Sequence, residues 1–169
     1  MEPLLLILKR LADHDVEFVV IGGMAAIAHG ADVVTQDVDV CIPFTEGNCS
    51  KLIDALRDIR PTFRMRPDKL RMYDDPARLA KLKNLYVLTD LGVIDFLGEV
   101  SGIGFYADAI NRSETVTLSL DLTCRMLDID ALIAAKRAAG RPKDIQAVHQ
   151  LEVVRKLRQE KEPPTAPSE

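Results

Sequence analysis

Between Val19 and Pro43 the chain reads VVIGGMAAIAHGADVVTQDVDVCIP. A short, β-branched, mostly apolar run from Val16 to Ile21 stops at Gly22-Gly23, the pattern of a buried strand. Met24 to His29 is alanine-rich and predicts a short helix ended by Gly30. Gln36 to Ile42 then alternates Val38, Val40 and Ile42 against Asp37, Asp39 and Cys41, which is strand periodicity, and Pro43 closes it. Residues i and i+2 of a strand share a face, so Asp37 and Asp39 point the same way and repel each other. A divalent cation would relieve that repulsion, and carboxylate oxygens suit Mg²⁺ or Mn²⁺. Taken alone, a D-x-D pair is more often just the exposed face of a strand.

The flanking segments predict a helix over about Pro3 to His14, with Leu4, Leu5, Leu8 and Leu11 at helical spacing, and another over Lys51 to Ile59. Arg60 to Pro76 is charged, punctuated by proline, and reads as a loop with one short strand at most. A short helix is expected near Ala77 to Leu82. Leu85 to Thr89 and Val93 to Leu97 read as strands joined by a tight turn at Asp90-Leu91-Gly92. Glu114 to Leu118 and Thr123 to Leu127 predict two more strands. Ile129 to Ala139 predicts a helix stopped at Gly140, and Pro142 or Lys143 opens a last helix to about Glu160. Helices and strands in this order predict an α/β (α+β) domain with a mixed central sheet, flanked by helices and finished by C-terminal helices. A single domain over 1–160 and a disordered Pro-rich tail over 161–169 are expected.

Composition narrows the function classes. The chain has 169 residues, 47% of them hydrophobic and 28% charged, enough to build a core and keep a polar surface. Its net charge of −4 argues against broad nonspecific nucleic-acid binding. Local basic stretches remain: Arg64, Arg66, Lys69 and Arg71, then Arg78, Lys81 and Lys83, and a second group at Lys136, Arg137, Arg141 and Lys143. A solvated loop is the default for the first, and a phosphate-lined acceptor path is the alternative. With five Phe, three Tyr and no Trp, no aromatic stacking platform is evident. Cys41, Cys49 and Cys124 lack metal-site spacing, and this usage fits a reducing cytoplasm. The apolar start MEPLLLILKR meets charges at once and reads as a helix, not a membrane span.

Asp95 shifts the balance on the D-x-D pair. Every neighbour in Val93-Ile94-Asp95-Phe96-Leu97 is apolar, and a charge in a buried strand is costly unless paired or bound to metal. Either Asp95 pairs with one of the many arginines, or its strand lies beside that of Asp37 and Asp39 and three carboxylates converge on metal. Gly22-Gly23 would let backbone approach a phosphate at the start of a helix, although most Gly-Gly pairs mark only a turn.

In that order, IGGMAAIAHG, TQDVDV and VIDFL resemble the nucleotidyltransferase superfamily that shares its fold with DNA polymerase beta. The segment KRAAGRPKD, Lys136 to Asp144, is similar to one in bacterial nucleotidyltransferases of abortive-infection and toxin–antitoxin type. The likeness spans roughly Val16 to Leu157. It implies Asp37 and Asp39 as metal ligands and catalytic carboxylates, with Asp95 as the third and as base or base-assisting group. It implies Gly22, Gly23 and Thr35 at the nucleotide phosphates, Lys136 and Lys143 near the triphosphate, and Arg141 and Asp144 structuring that edge. For the last four, a helical corner with solvated charges is an equal reading. The implied activity is Mg²⁺- or Mn²⁺-dependent transfer of a nucleoside monophosphate from an NTP to a hydroxyl of protein, tRNA or a small molecule. A cognate toxin or antitoxin partner is also implied. The alternative is an inactive nucleotidyltransferase-like binding, antitoxin or regulatory module. Val33 stands where relatives often carry an arginine, which favours that alternative. His29 could touch substrate, but a capping or packing role is the simpler expectation.

Overall fold

The computed structural model describes residues 2–161. All but the first residue of the segment expected to form a disordered tail lies outside that range. The first helix, α1 (Glu2–Asp13), buries Leu4, Ile7, Leu8 and Leu11 along one stripe. Each such side chain contributes about 1.5–3 kcal/mol of hydrophobic burial. Strand β1 (Val19–Ile21) is buried throughout. Helix α2 (Gly22–His29) follows without a linker and ends at Gly30. Gly22 and Gly23 therefore form the first turn of this helix, not a loop before it.

Strand β2 (Asp37–Cys41) leads to α3 (Glu46–Leu56), which opens with Thr45 accepting from the Asn48 N–H and runs into a 3-10 turn at Arg57–Ile59. That cap starts the helix five residues before the expected position. Then come β3 (Thr62–Phe63), α4 (Pro76–Leu79), β4 (Asn84–Thr89) and β5 (Gly92–Leu97). A hairpin of β6 (Glu99–Val100) and β7 (Gly104–Phe105) and a short helix α5 (Tyr106–Asn111) were not expected. Their elements are two to six residues long, too short to show a hydrophobic period. The chain closes with β8 (Ser113–Ser119), β9 (Leu122–Leu127), α6 (Ile129–Ala139) and α7 (Pro142–Lys161).

Seven strands form one mixed sheet in the order β3-β4-β5-β2-β1-β9-β8. The pairs β2/β5 and β1/β9 are parallel and the rest antiparallel. Helix α1 packs on α3 and on β2, β5 and β9, while α2, α6 and α7 pack on one another. The expected α/β fold with a mixed sheet flanked by helices is the observed one. The alternation in β2 has its reason here: Val38 and Val40 are fully buried, and Asp37 and Asp39 occupy the opposite face. All three cysteines are buried and unpaired. No helix of the described residues is long and apolar enough to cross a membrane.

Candidate active site

Parallel pairing of β2 with β5 sets Asp39 directly beside Asp95, with Asp37 beside Val93 and Cys41 beside Leu97. Side chains at matched positions of neighbouring strands share a face. Asp95, 56 residues beyond Asp39 in sequence, thus converges with Asp37 and Asp39, with one oxygen of each within 4.8 Å of the others. Asp37 and Asp39 are half-buried and Asp95 is buried. Burial first, then repulsion from Asp37 and Asp95, pushes the Asp39 carboxyl up to about 6, with Lys143 and Arg141 acting in the opposite direction. Burial also raises Asp95, against the pull of Arg64.

Both readings of Asp95 hold together. It lies with Asp37 and Asp39, and it is paired with an arginine: Arg64 donates from Nη2 to both of its oxygens. The Arg64 backbone N–H donates to the Tyr86 carbonyl at 2.9 Å, which ties the segment after β3 to β4. Tyr86 in turn lies opposite Asp95 in the β4–β5 register. Sequence reasoning missed both partners. Leu85 and Val87 alternating with Tyr86 would have placed Tyr86 on the carboxylate face, but nothing in the sequence pairs Arg64 with Asp95.

The glycines have a steric role that is visible at the site. Gly22 has φ +68, and a Cβ there would collide with the Asp39 carboxylate. A Cβ on Gly23 would come within 2.6 Å of Thr35 Oγ1. Thr35 donates from Oγ1 to the Asp37 carbonyl at 3.0 Å and to Asp37 Oδ1 at 3.2 Å, holding the first aspartate of β2. Helix α2 starts next to Asp39 without a side-chain cap, which leaves its first N–H groups without a capping side chain.

Lys136 on α6 and Asp144 on α7 are both buried, with Lys136 Nζ 3.5 Å from Asp144 Oδ1. Arg141 donates from Nε to Asp144 Oδ2 at 2.6 Å. Burial works to raise the Asp144 carboxyl, but Arg141 and Lys136 hold it below the usual carboxylate range. Burial lowers Lys136, against the pull of Asp144. Lys136, Lys143, Thr35, Gly23 and Asp37 line one cavity of about 270 Å³. A second, of about 410 Å³, is lined by Tyr86, Asp95, Leu97 and Leu132. Asp39, Lys136 and Arg141 border both. Volume does not mark the site, because a cleft of about 710 Å³ between Phe44, Lys83 and Phe105 has only Glu99 as a carboxylate. His29 is buried away from the cluster, its Nε2 2.8 Å from the Leu127 carbonyl and its own carbonyl accepting from Arg158, as a packing residue would be.

Residues 4–161 match the family described as nucleotidyltransferases of unknown function, DUF6036. The chain belongs to that family. A crystal structure of a candidate nucleotidyltransferase from Thermotoga maritima has the same fold, with a TM-score of 0.52 over 92% of this chain and 89% of that one. The two are 16% identical, so the likeness is one of fold. No curated protein matches the chain. In this DUF6036 nucleotidyltransferase the two conspicuous sequence features, the D-x-D strand and the lone buried aspartate, are neighbours because β5 is inserted next to β2.

Proposed function

We propose that the protein transfers a nucleoside monophosphate from an NTP to an acceptor hydroxyl, on protein, RNA or a small molecule, with a divalent cation held by Asp37, Asp39 and Asp95. The observation that supports this best is the convergence of these three carboxylates beside the uncapped start of α2. Their fit to Mg²⁺ or Mn²⁺ rests on an all-oxygen donor set in which one oxygen of each carboxylate lies within 4.8 Å of the others. Such a cation, when bound, neutralises phosphate charge and makes the acceptor hydroxyl more acidic.

The chain's own groups do the rest. Lys136, Lys143 and Arg141 offer positive charge to the triphosphate, and Gly22 and Gly23 allow backbone N–H groups close to it. Thr35 orients Asp37. Asp95, held by Arg64, aligns the acceptor hydroxyl and takes up its proton. The acceptor oxygen forms a bond to the α-phosphorus, the bond from that phosphorus to the bridging oxygen breaks, and pyrophosphate leaves with the electron pair. We place this activity in the reducing cytoplasm, which suits three free thiols.

A second reading is favoured by the Arg64–Asp95 pair and by Val33 in the phosphate-side cavity wall. It is a nucleotide-binding module without transfer, acting beside a toxin or antitoxin partner. Incubation with each α-labelled NTP, Mg²⁺ and cell extract separates the two. Transfer by the wild type and its loss in Asp37→Asn/Asp39→Asn supports the enzyme. Nucleotide binding with equal background labelling by both supports the module.

A further inference from the structure

Arg64 occupies the chelating position of the third carboxylate. Its Nη2 donates to Asp95 Oδ1 at 2.7 Å and to Oδ2 at 2.5 Å, so one nitrogen stands between both oxygens. A metal ion bound to Asp95 through both oxygens would need that same place. Each carboxylate oxygen keeps a second lone pair, so Asp95 can still give one oxygen to an ion shared with Asp37 and Asp39. One oxygen from each of the three lies within 4.8 Å of the others, which suits a single coordination sphere.

The guanidinium is fixed in this place. The Arg64 N–H donates to the Tyr86 carbonyl at 2.9 Å, and Tyr86 lies opposite Asp95 in the register of β4 and β5. The guanidinium carbon lies 5.6 Å from the Tyr86 ring centre, within cation–π reach. The preceding residue, Phe63, is buried and meets Tyr73 edge to face, and these two rings and Tyr86 line a groove of about 230 Å³. Within the basic stretch 64–71, Arg66 pairs with Asp68, while Lys69 and Arg71 are exposed. The pull on Arg64 comes from the whole cluster: the bond to Asp95 first, then the charges of Asp95, Asp37 and Asp39, favour its charged form against burial. Arginine does not lose its proton in a protein, so the positive charge here is permanent.

Three carboxylates and one guanidinium leave two negative charges, which a single divalent cation cancels. A catalytic pair of cations sits about 3.5–4 Å apart on shared carboxylates. A second ion here would meet the guanidinium at Asp95, while Lys143 and Arg141 already act on Asp39. We infer that Arg64 stands in for a second metal ion, so that the three aspartates hold one divalent cation and the protein itself supplies the other positive charge. The inference rests on the proposed cation site, but not on nucleotidyl transfer.

The test counts bound Mn²⁺ on the full chain, stripped of metal and without NTP. Calorimetric titration gives the number of ions, and electron paramagnetic resonance shows whether two of them are close enough to couple. The wild type is expected to bind one ion with an uncoupled spectrum. Arg64→Met removes the charge and both bonds, and Arg64→Gln, a neutral amide that can still donate to Asp95, covers the case in which Arg64→Met does not fold. Either variant is expected to bind two coupled ions, the second at least about tenfold more tightly than any second event in the wild type. Arg64→Lys keeps the charge and is expected to return the count to one, a rescue that loss of packing alone would not give. Asp37→Asn/Asp39→Asn is expected to bind none. Two coupled ions in the wild type overturn the inference and leave the proposed function standing, as does a single ion in a folded neutral variant. A wild type that binds no Mn²⁺ removes the cation site, and this inference with it.

Discussion

Arg64 donates from one guanidinium nitrogen, Nη2, to both carboxylate oxygens of Asp95, at 2.7 and 2.5 Å. Asp95 is 8% exposed and lies in a strand whose neighbours Ile94 and Phe96 are fully buried, so this pair compensates a charge that water solvates only from the cavity side. Asp37 and Asp39 have no such partner among the described residues. One of the three carboxylates is therefore neutralised by the protein itself, and two are left to whatever binds there.

Removing the guanidinium tests that division. Arg64→Ala leaves Asp95 buried and unpaired. Breaking a fully buried pair costs about 3–5 kcal/mol, and the third of the Arg64 side chain that is exposed reduces this to roughly 1–3 kcal/mol. Chemical denaturation of Arg64→Ala, Asp95→Asn and the double variant should show non-additive losses. Additive losses would mean that the pair is not formed in solution.

Metal addition should stabilise the fold. With Mn²⁺ at about a hundred times its dissociation constant the gain is about 2.7 kcal/mol, or roughly 5–10 °C in Tm for a chain of this size. Asp37→Asn/Asp39→Asn should abolish the shift in a thermal melt. A wild-type Tm that ignores Mn²⁺ would remove the cation from the site.

The raised Asp39 carboxyl gives a pH signature. Its folded value, about 6, lies above its ordinary 3.8, so the folded state holds the extra proton between those values. Stability from this group is full below about pH 4, declines as pH rises through that window, and is gone above it. The metal-free wild type should therefore lose on the order of 2–3 kcal/mol relative to Asp39→Asn between pH 4 and pH 7. Parallel stability curves for the two proteins would refute the shift. Mn²⁺ affinity should fall below about pH 6, as protons compete for the same oxygens.

Gly22→Ala combines a left-handed φ of +68 with a collision against Asp39. The conformation alone costs about 1–2 kcal/mol, and the displaced carboxylate should also weaken the response to Mn²⁺. Gly47→Ala, inside α3 where a Cβ meets nothing within 4 Å, is the control: it should stabilise the fold by up to about 1 kcal/mol through helix propensity and leave the response to Mn²⁺ unchanged.

Asp144→Ala would strip the partner from buried Lys136 and from Arg141 at once. A loss of about 3–5 kcal/mol is expected, and less in Asp144→Leu/Lys136→Met, where no buried charge stays behind and the largely exposed Arg141 is solvated. Urea denaturation compares the two. A larger loss in the double variant would show that the ion cluster itself stabilises this corner.

Alternation of valine with aspartate in β2, the helical stripe of α1, the turn at Asp90 to Gly92 and the capped corner from Gly140 were all legible in the sequence. Each is a local pattern whose period or cap chemistry needs no distant partner. The run Val93 to Leu97 announced an out-of-place charge, and the order of motifs pointed to carboxylates that would meet. Sequence alone could not decide between an arginine partner and the aspartate pair for Asp95, and tertiary structure supplied both. Placing β5 beside β2 sets Asp95 against Asp39, and placing β3 beside β4 brings Arg64 to the same carboxylate. The groove of Phe63, Tyr73 and Tyr86 was illegible for the same reason, whereas the local hairpin Glu99 to Phe105 was missed because its two-residue strands show no period. Strand neighbours far apart in the chain are selected by packing of the whole sheet, and local sequence carries no record of which strand will lie alongside.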